Sequence, residues 1–138
     1  MVQRLPADKR FSVVKRAKSF THAGRGIWIL VRSTHNAWLH LGILALAVAL
    51  GFYFNITLAE WVLIIFASGL VLAAEAFNTA IEIDIDLTSP TYHPYARDTK
   101  DVAAGAVLIC AITALIIGVF VFYPHVAPLL QPQPSSYL

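Results

Sequence analysis

The stretch WVLIIFASGLVLAAEAFNTAIEI, residues 61–83, is long and oily enough to cross a bilayer, yet it carries Glu75, Asn78 and Glu82, with Asp86 just beyond it. The four positions stand at i, i+3, i+7 and i+11. At about 100° per residue they fall within an arc of roughly 80° on one helix face, stacked over about three turns. A carboxylate at membrane depth is costly unless it faces protein, water, a cation or another polar group. A polar stripe inside a membrane helix therefore reads as a functional site.

Two more apolar runs flank this one, NAWLHLGILALAVALGFYF at 36–54 and VAAGAVLICAITALIIGVFVF at 102–122. Each is near the ~20 residues that a transmembrane helix needs. Over the whole chain 58% of residues are hydrophobic and the mean hydropathy is +0.68, well above the roughly 45–50% apolar usage of soluble domains. The chain reads as one all-α integral membrane domain, residues 1–138, without internal repeats. Residues 1–32 are basic and lack an uninterrupted apolar core, so they do not read as a secretory signal peptide. The single cysteine, Cys110, excludes an intramolecular disulfide and reads as a small buried apolar side chain.

Positive charge orients the spans. Eight of the ten Lys and Arg residues lie in the first 32 positions, Arg97 and Lys100 lie between the second and third spans, and none follows the third. The amino end and the second connection are therefore expected on the cytoplasmic side. Residues 8–32, with Phe11, Val14 and Ala17 set against Lys9, Arg10, Lys15, Arg16 and Arg25, suggest a basic amphipathic helix lying on the membrane, its cations meeting lipid head groups or a polyphosphate. This basic run adjoins a span and has no recognition motif around it, which argues against nucleic acid as a partner. The Pro-rich segment 124–138 is expected to be a mobile tail. Glu60 reads as a cap on the far end of the second span, and Gly69 and the glycines of the third span as sites of close helix contact.

The connection 88–101 carries the remaining polar groups. Tyr92, His93, Pro94 and Tyr95 suggest an aromatic turn, and Asp98 to Asp101 the start of the next helix, with Asp98 as a cap or first-turn charge. From there Lys100 and Asp101 can approach Glu82 and Asp86 across the bundle. Carboxylates grouped with Asn and Lys suit phosphoryl transfer: some hold a hard divalent cation on a nucleotide polyphosphate while another accepts a proton from an attacking hydroxyl. A P-loop is missing, and Gly24-x-Gly26 lacks the rest of a dinucleotide fingerprint. A proton or ion relay could use similar residues, but such relays spread ionisable groups through several spans.

The segment Glu75-Ala-Phe-Asn-Thr-Ala-Ile-Glu82, followed by Asp86, Tyr92-His93 and Lys100-Asp101-x-Ala-Ala-Gly-Ala-Val107, resembles the small bacterial membrane kinases of the diacylglycerol kinase and undecaprenol kinase family. Upstream, Ser19-Phe20-x-His22-Ala23-x-x-Gly26-Ile27 and Asn36-x-x-x-His40 are similar to the undecaprenol kinase branch. The resemblance spans about residues 11–123. It implies a homotrimer of three-span subunits in the bacterial cytoplasmic membrane, each with an amphipathic surface helix, phosphorylating a lipid alcohol with ATP and Mg2+. By position, Glu75 would be the general base and Glu82 would hold Mg2+ and ATP. Asn78 and Asp86 would orient the lipid substrate and support the network. Tyr92, His93, Lys100 and Asp101 would contact ATP, with Lys15, Lys18 and His22 closing over it.

One position departs from the family pattern. Thr34 stands where the family usually carries a glutamate that shares the metal with the residue matched by Glu82. Threonine is a neutral and weak magnesium ligand, so one negative charge is lost from the site. This leaves three readings: a lipid kinase; a kinase-fold protein of little activity that serves as an assembly subunit of a membrane complex; and a small ion translocator.

Overall fold

The computed structural model describes residues 13–131, with side chains from residue 16 onward. Four helices follow in order, α1 (Val13–Ser33), α2 (His35–Phe54), α3 (Leu58–Thr88) and α4 (Pro94–Val126), and a 3-10 turn at Ala127–Leu130 succeeds α4. The described residues contain no strand. α2, α3 and α4 are each long and apolar enough to cross a membrane. The fold is therefore the expected one, three spanning helices behind an amino-terminal helix. Residues 8–12 of the basic segment, the side chain of Lys15 and residues 132–138 of the tail lie outside the described residues.

The helices outrun the apolar runs because a bilayer selects side chains, whereas a backbone ladder continues until something breaks it. At 31 residues, α3 rises about 46 Å, well past the ~30 Å hydrocarbon core. It starts at a capping box: Glu60 N–H donates to the Thr57 hydroxyl at 3.3 Å, and Thr57 N–H donates to the Glu60 carboxylate at 2.7 Å. It stops at Ser89, just before Pro90. α4 starts at Pro94, whose missing N–H is harmless in a first turn, and Tyr95 N–H donates to Nδ1 of His93 at 3.3 Å. His93 is thus the cap, and Asp98, expected in that role, lies inside the helix. The aromatic turn likewise gives way to Ser89–His93, with Pro94 and Tyr95 already helical.

The segment expected to be mobile from Pro124 is helical as far as Leu130. Pro124 removes only one ladder bond, and α4 ends two residues later at Val126. Between α1 and α2 a single residue breaks the helix: Thr34 takes an extended conformation (φ −118°, ψ 127°), and its hydroxyl donates to the Leu30 carbonyl at 3.0 Å.

α2 and α3 are joined by a tight turn. Asn55 adopts a left-handed conformation (φ 51°, ψ 50°), and Ile56 N–H reaches back to the Gly51 carbonyl at 3.1 Å, closing the helix end. Gly51 lies under the Trp61 ring, where an added Cβ would stand 2.7 Å from it. Gly69, Gly105 and Gly118, expected at close contacts, face open space within the chain. The apolar core at this end gathers Ile56, Ile64 and Val121, with Phe54, Trp61 and Phe122 packed against them.

Candidate functional site

The buried face of α3 explains where the polar stripe points. Its inward residues are Ile64, Ala67, Val71, Glu75, Asn78 and Thr79, so a row that begins as apolar core at the Asn55 end turns polar at Glu75 without leaving the face. At Glu75 and Asn78 the stripe looks into the bundle, whereas Glu82 is half-buried and Asp86 exposed. Ala37 on α2 and Ala103 and Val107 on α4 are buried as well.

Glu75 is only 1% exposed, the most deeply buried charged side chain among the described residues. Both its carboxylate oxygens lack a hydrogen-bond partner, as does Oδ1 of Asn78. Asn78 Nδ2 donates to Oε1 of Glu82 at 2.9 Å, which fixes the amide with its oxygen free. The Thr79 hydroxyl donates to the Glu75 backbone carbonyl at 2.8 Å and leaves the carboxylate untouched. An unpaired buried carboxylate costs several kcal/mol, more than an ordinary hydrogen bond returns. The arrangement is stable only where something else meets those oxygens.

Depth along α3 separates the roles. Counted from Leu58 at 1.5 Å per residue, Glu75 lies about 26 Å along the axis, Glu82 about 36 Å and Asp86 about 42 Å. If α3 enters the hydrocarbon near Leu58, Glu75 sits just inside the opposite interface and Glu82 and Asp86 beyond it.

Beyond the stripe, a cavity of about 390 Å3 opens between the end of α3 and the start of α4, lined by Asp86, Tyr92, His93, Arg97, Lys100 and Asp101 among others. Lys100 Nζ donates across it to Asp86 Oδ1. Arg97 Nε and Asp101 Oδ2 stand 3.5 Å apart on its α4 wall. The structure thus gathers Glu75, Asn78 and Glu82 on one face, and Asp86, Tyr92, His93, Lys100 and Asp101 around the adjoining cavity. Lys18 and His22 are exposed on α1 and, among the described residues, have no side-chain hydrogen bond or ion pair with α3 or α4. Arg97 was read from sequence only as a topological charge. Its spacing of four from Asp101 was the available signal.

The donors present are hard oxygens, which suit magnesium. Among the described residues no cluster of three or more His, Cys, Asp or Glu side chains forms a metal cage. Magnesium rarely uses such cages; it takes one or two carboxylates and completes its shell from phosphates and water. Glu82, with the free Asn78 oxygen beside it, fits that pattern.

The sequence profile described as prokaryotic diacylglycerol kinase matches residues 21–122, a stretch that includes all of α2 and α3 and every candidate site residue from His22 to Asp101. This chain belongs to the prokaryotic diacylglycerol kinase family. It is 38% identical over 117 residues to an undecaprenol kinase of Bacillus subtilis, covering 85% of this chain and 95% of that protein. A diacylglycerol kinase of Helicobacter pylori is 31% identical over 106 residues, 72% of this chain and 83% of its own. A diacylglycerol kinase of Escherichia coli K12 is 29% identical over 117 residues, 83% and 93% of the two chains. Membership in this kinase family gives the unpaired Glu75 and the charged cavity a common setting.

Proposed function

We propose that this chain is an ATP-dependent lipid kinase of the bacterial cytoplasmic membrane, with its amino end and the α3–α4 turn in the cytoplasm, working as a homotrimer on undecaprenol or diacylglycerol. The observation that carries this reading is the Glu75 carboxylate, buried and unpartnered, on the same face as the hydrogen-bonded Asn78 and Glu82. Identity of 38% over 117 residues to the Bacillus undecaprenol kinase supports undecaprenol as acceptor.

The residues divide the work by depth. Glu75 accepts the proton of the lipid hydroxyl, so the alkoxide character develops only as the proton leaves. The lipid oxygen bonds to the γ-phosphorus, the bond from that phosphorus to the β-bridging oxygen breaks, and ADP departs. Glu82 and Asn78 would hold Mg2+, which when bound supplies charge neutralisation on the phosphoryl oxygens. Asp86 holds Lys100 at the mouth of the cavity, where Tyr92, His93 and Asp101 receive the nucleotide. Lys15, Lys18 and His22 would approach from α1.

Thr34 supports a second reading. Its hydroxyl is committed to the Leu30 carbonyl, so it adds no charge to the metal site, as an assembly subunit without strong activity would show. Transfer of radiolabelled γ-phosphate from MgATP to undecaprenol, diacylglycerol and ceramide in mixed micelles decides between them. Label on one lipid that is lost in Glu75→Gln establishes the kinase and its acceptor. No label on any lipid from folded protein sinks the kinase reading and leaves the subunit.

A further inference from the structure

Asp86, Tyr92, His93, Lys100 and Asp101 are accounted for by nucleotide binding, but Arg97, on the same cavity wall, is not. Its position is electrostatically unfavourable. Arg97 closes the first turn of α4, which contains no acidic residue, and a cation near a helix amino terminus opposes the helix dipole. A residue that breaks a local rule without a gain to the fold points to function.

Its present partner does not offset this. The contact with Asp101 runs through Nε at 3.5 Å, and both side chains are 68% exposed. That is long for a hydrogen bond and weak as an exposed pair. It also leaves unused the guanidinium fork, the part of arginine whose geometry matches two oxygens of one phosphate. Lys100, three residues on, is paired with Asp86 in the same cavity. Two cations and two carboxylates therefore balance around a space that an anionic polyphosphate enters only if the cations turn from the carboxylates toward it.

We propose that Arg97 is a phosphate ligand of the nucleotide: in the nucleotide-free protein it rests on Asp101, and it exchanges that carboxylate for a terminal phosphate when nucleotide enters. The exchange frees Asp101 within the cavity while Lys100 serves a neighbouring phosphate. This inference rests on the kinase reading.

Nucleotide affinity of the full chain in micelles tests it, measured by calorimetry with MgATP and with AMP for the wild type, Arg97→Gln and Arg97→Lys. The expected result is an ATP affinity about tenfold or more weaker in Arg97→Gln, an intermediate loss in Arg97→Lys, and AMP affinity unchanged, with KM for ATP raised and KM for lipid unmoved. Equal ATP affinity in the wild type and Arg97→Gln overturns the inference while leaving the kinase reading standing. Equal losses for ATP and AMP overturn the assignment to a terminal phosphate. A wild-type protein that binds no nucleotide overturns both.

Discussion

The two ends of the bundle treat their polar groups in opposite ways. At the Asn55 end, Glu60 is fully employed: one oxygen accepts from Thr57 N–H at 2.7 Å and the Thr57 hydroxyl at 2.8 Å, and the other meets His125 Nε2 at 3.1 Å. The His125 ring in turn stacks on Phe54 with centroids 5.8 Å apart. At the other end Glu75 is more deeply buried and its carboxylate has no hydrogen-bond partner. A satisfied polar cluster holds helices together. An unsatisfied one, buried more deeply still, fits the catalytic role proposed for Glu75.

The largest effect should come from breaking the unsatisfied end. Glu75→Gln keeps the shape and removes the proton acceptor, so turnover should fall by roughly 10²-fold or more, while the unfolding midpoint in mixed micelles holds or rises because a buried charge is gone. Unchanged turnover would mean that another group takes the proton. A collapsed midpoint would make Glu75 structural and erase the contrast between the ends.

Perturbing the satisfied end should do the reverse. Gly51→Val places a side chain where a Cβ alone already lies 2.7 Å from Trp61, and the overpacking should cost about 1–3 kcal/mol. Turnover per folded molecule should stay at the wild-type value. Thr57→Ala removes a helix cap and should cost about 1 kcal/mol, again without changing KM for ATP or lipid. A change in catalysis from either variant would show that the two ends are coupled through α3.

What could be read from the sequence divides along the same physical line. The hydropathy runs located the spans and the i, i+3, i+7, i+11 spacing located the stripe, because both depend on a single helix and its period. The start of α4, expected at Asp98 to Asp101, lies one turn further out at Pro94, since helix continues into water wherever no breaker intervenes. Pro94 in a first turn was the clue to the true start of α4. The approach of Lys100 to Asp86 is legible from their places at the facing ends of the second and third spans, and the Arg97–Asp101 pair from its spacing of four within α4, but nothing local announces that His125 meets Glu60. That pairing depends on how α3 and α4 lie side by side.

Thr34 sharpens the comparison most finely, because it combines the habits of both ends. Its hydroxyl is satisfied by the Leu30 carbonyl, as at the Asn55 end, yet the resemblance implies a metal-sharing carboxylate at this position. Thr34→Glu forfeits that hydrogen bond and gives the α1–α2 break a longer side chain, but it returns a negative charge to the proposed metal site. If Glu82 now works with too few charged neighbours, half-maximal activity should be reached at severalfold lower Mg2+, with a modest rise in rate, which a Mg2+ titration of lipid phosphorylation would read. A variant that instead needs more Mg2+ and runs slower would show that the threonine serves the helix break, and that the metal shell is completed by groups other than the one the family pattern supplies.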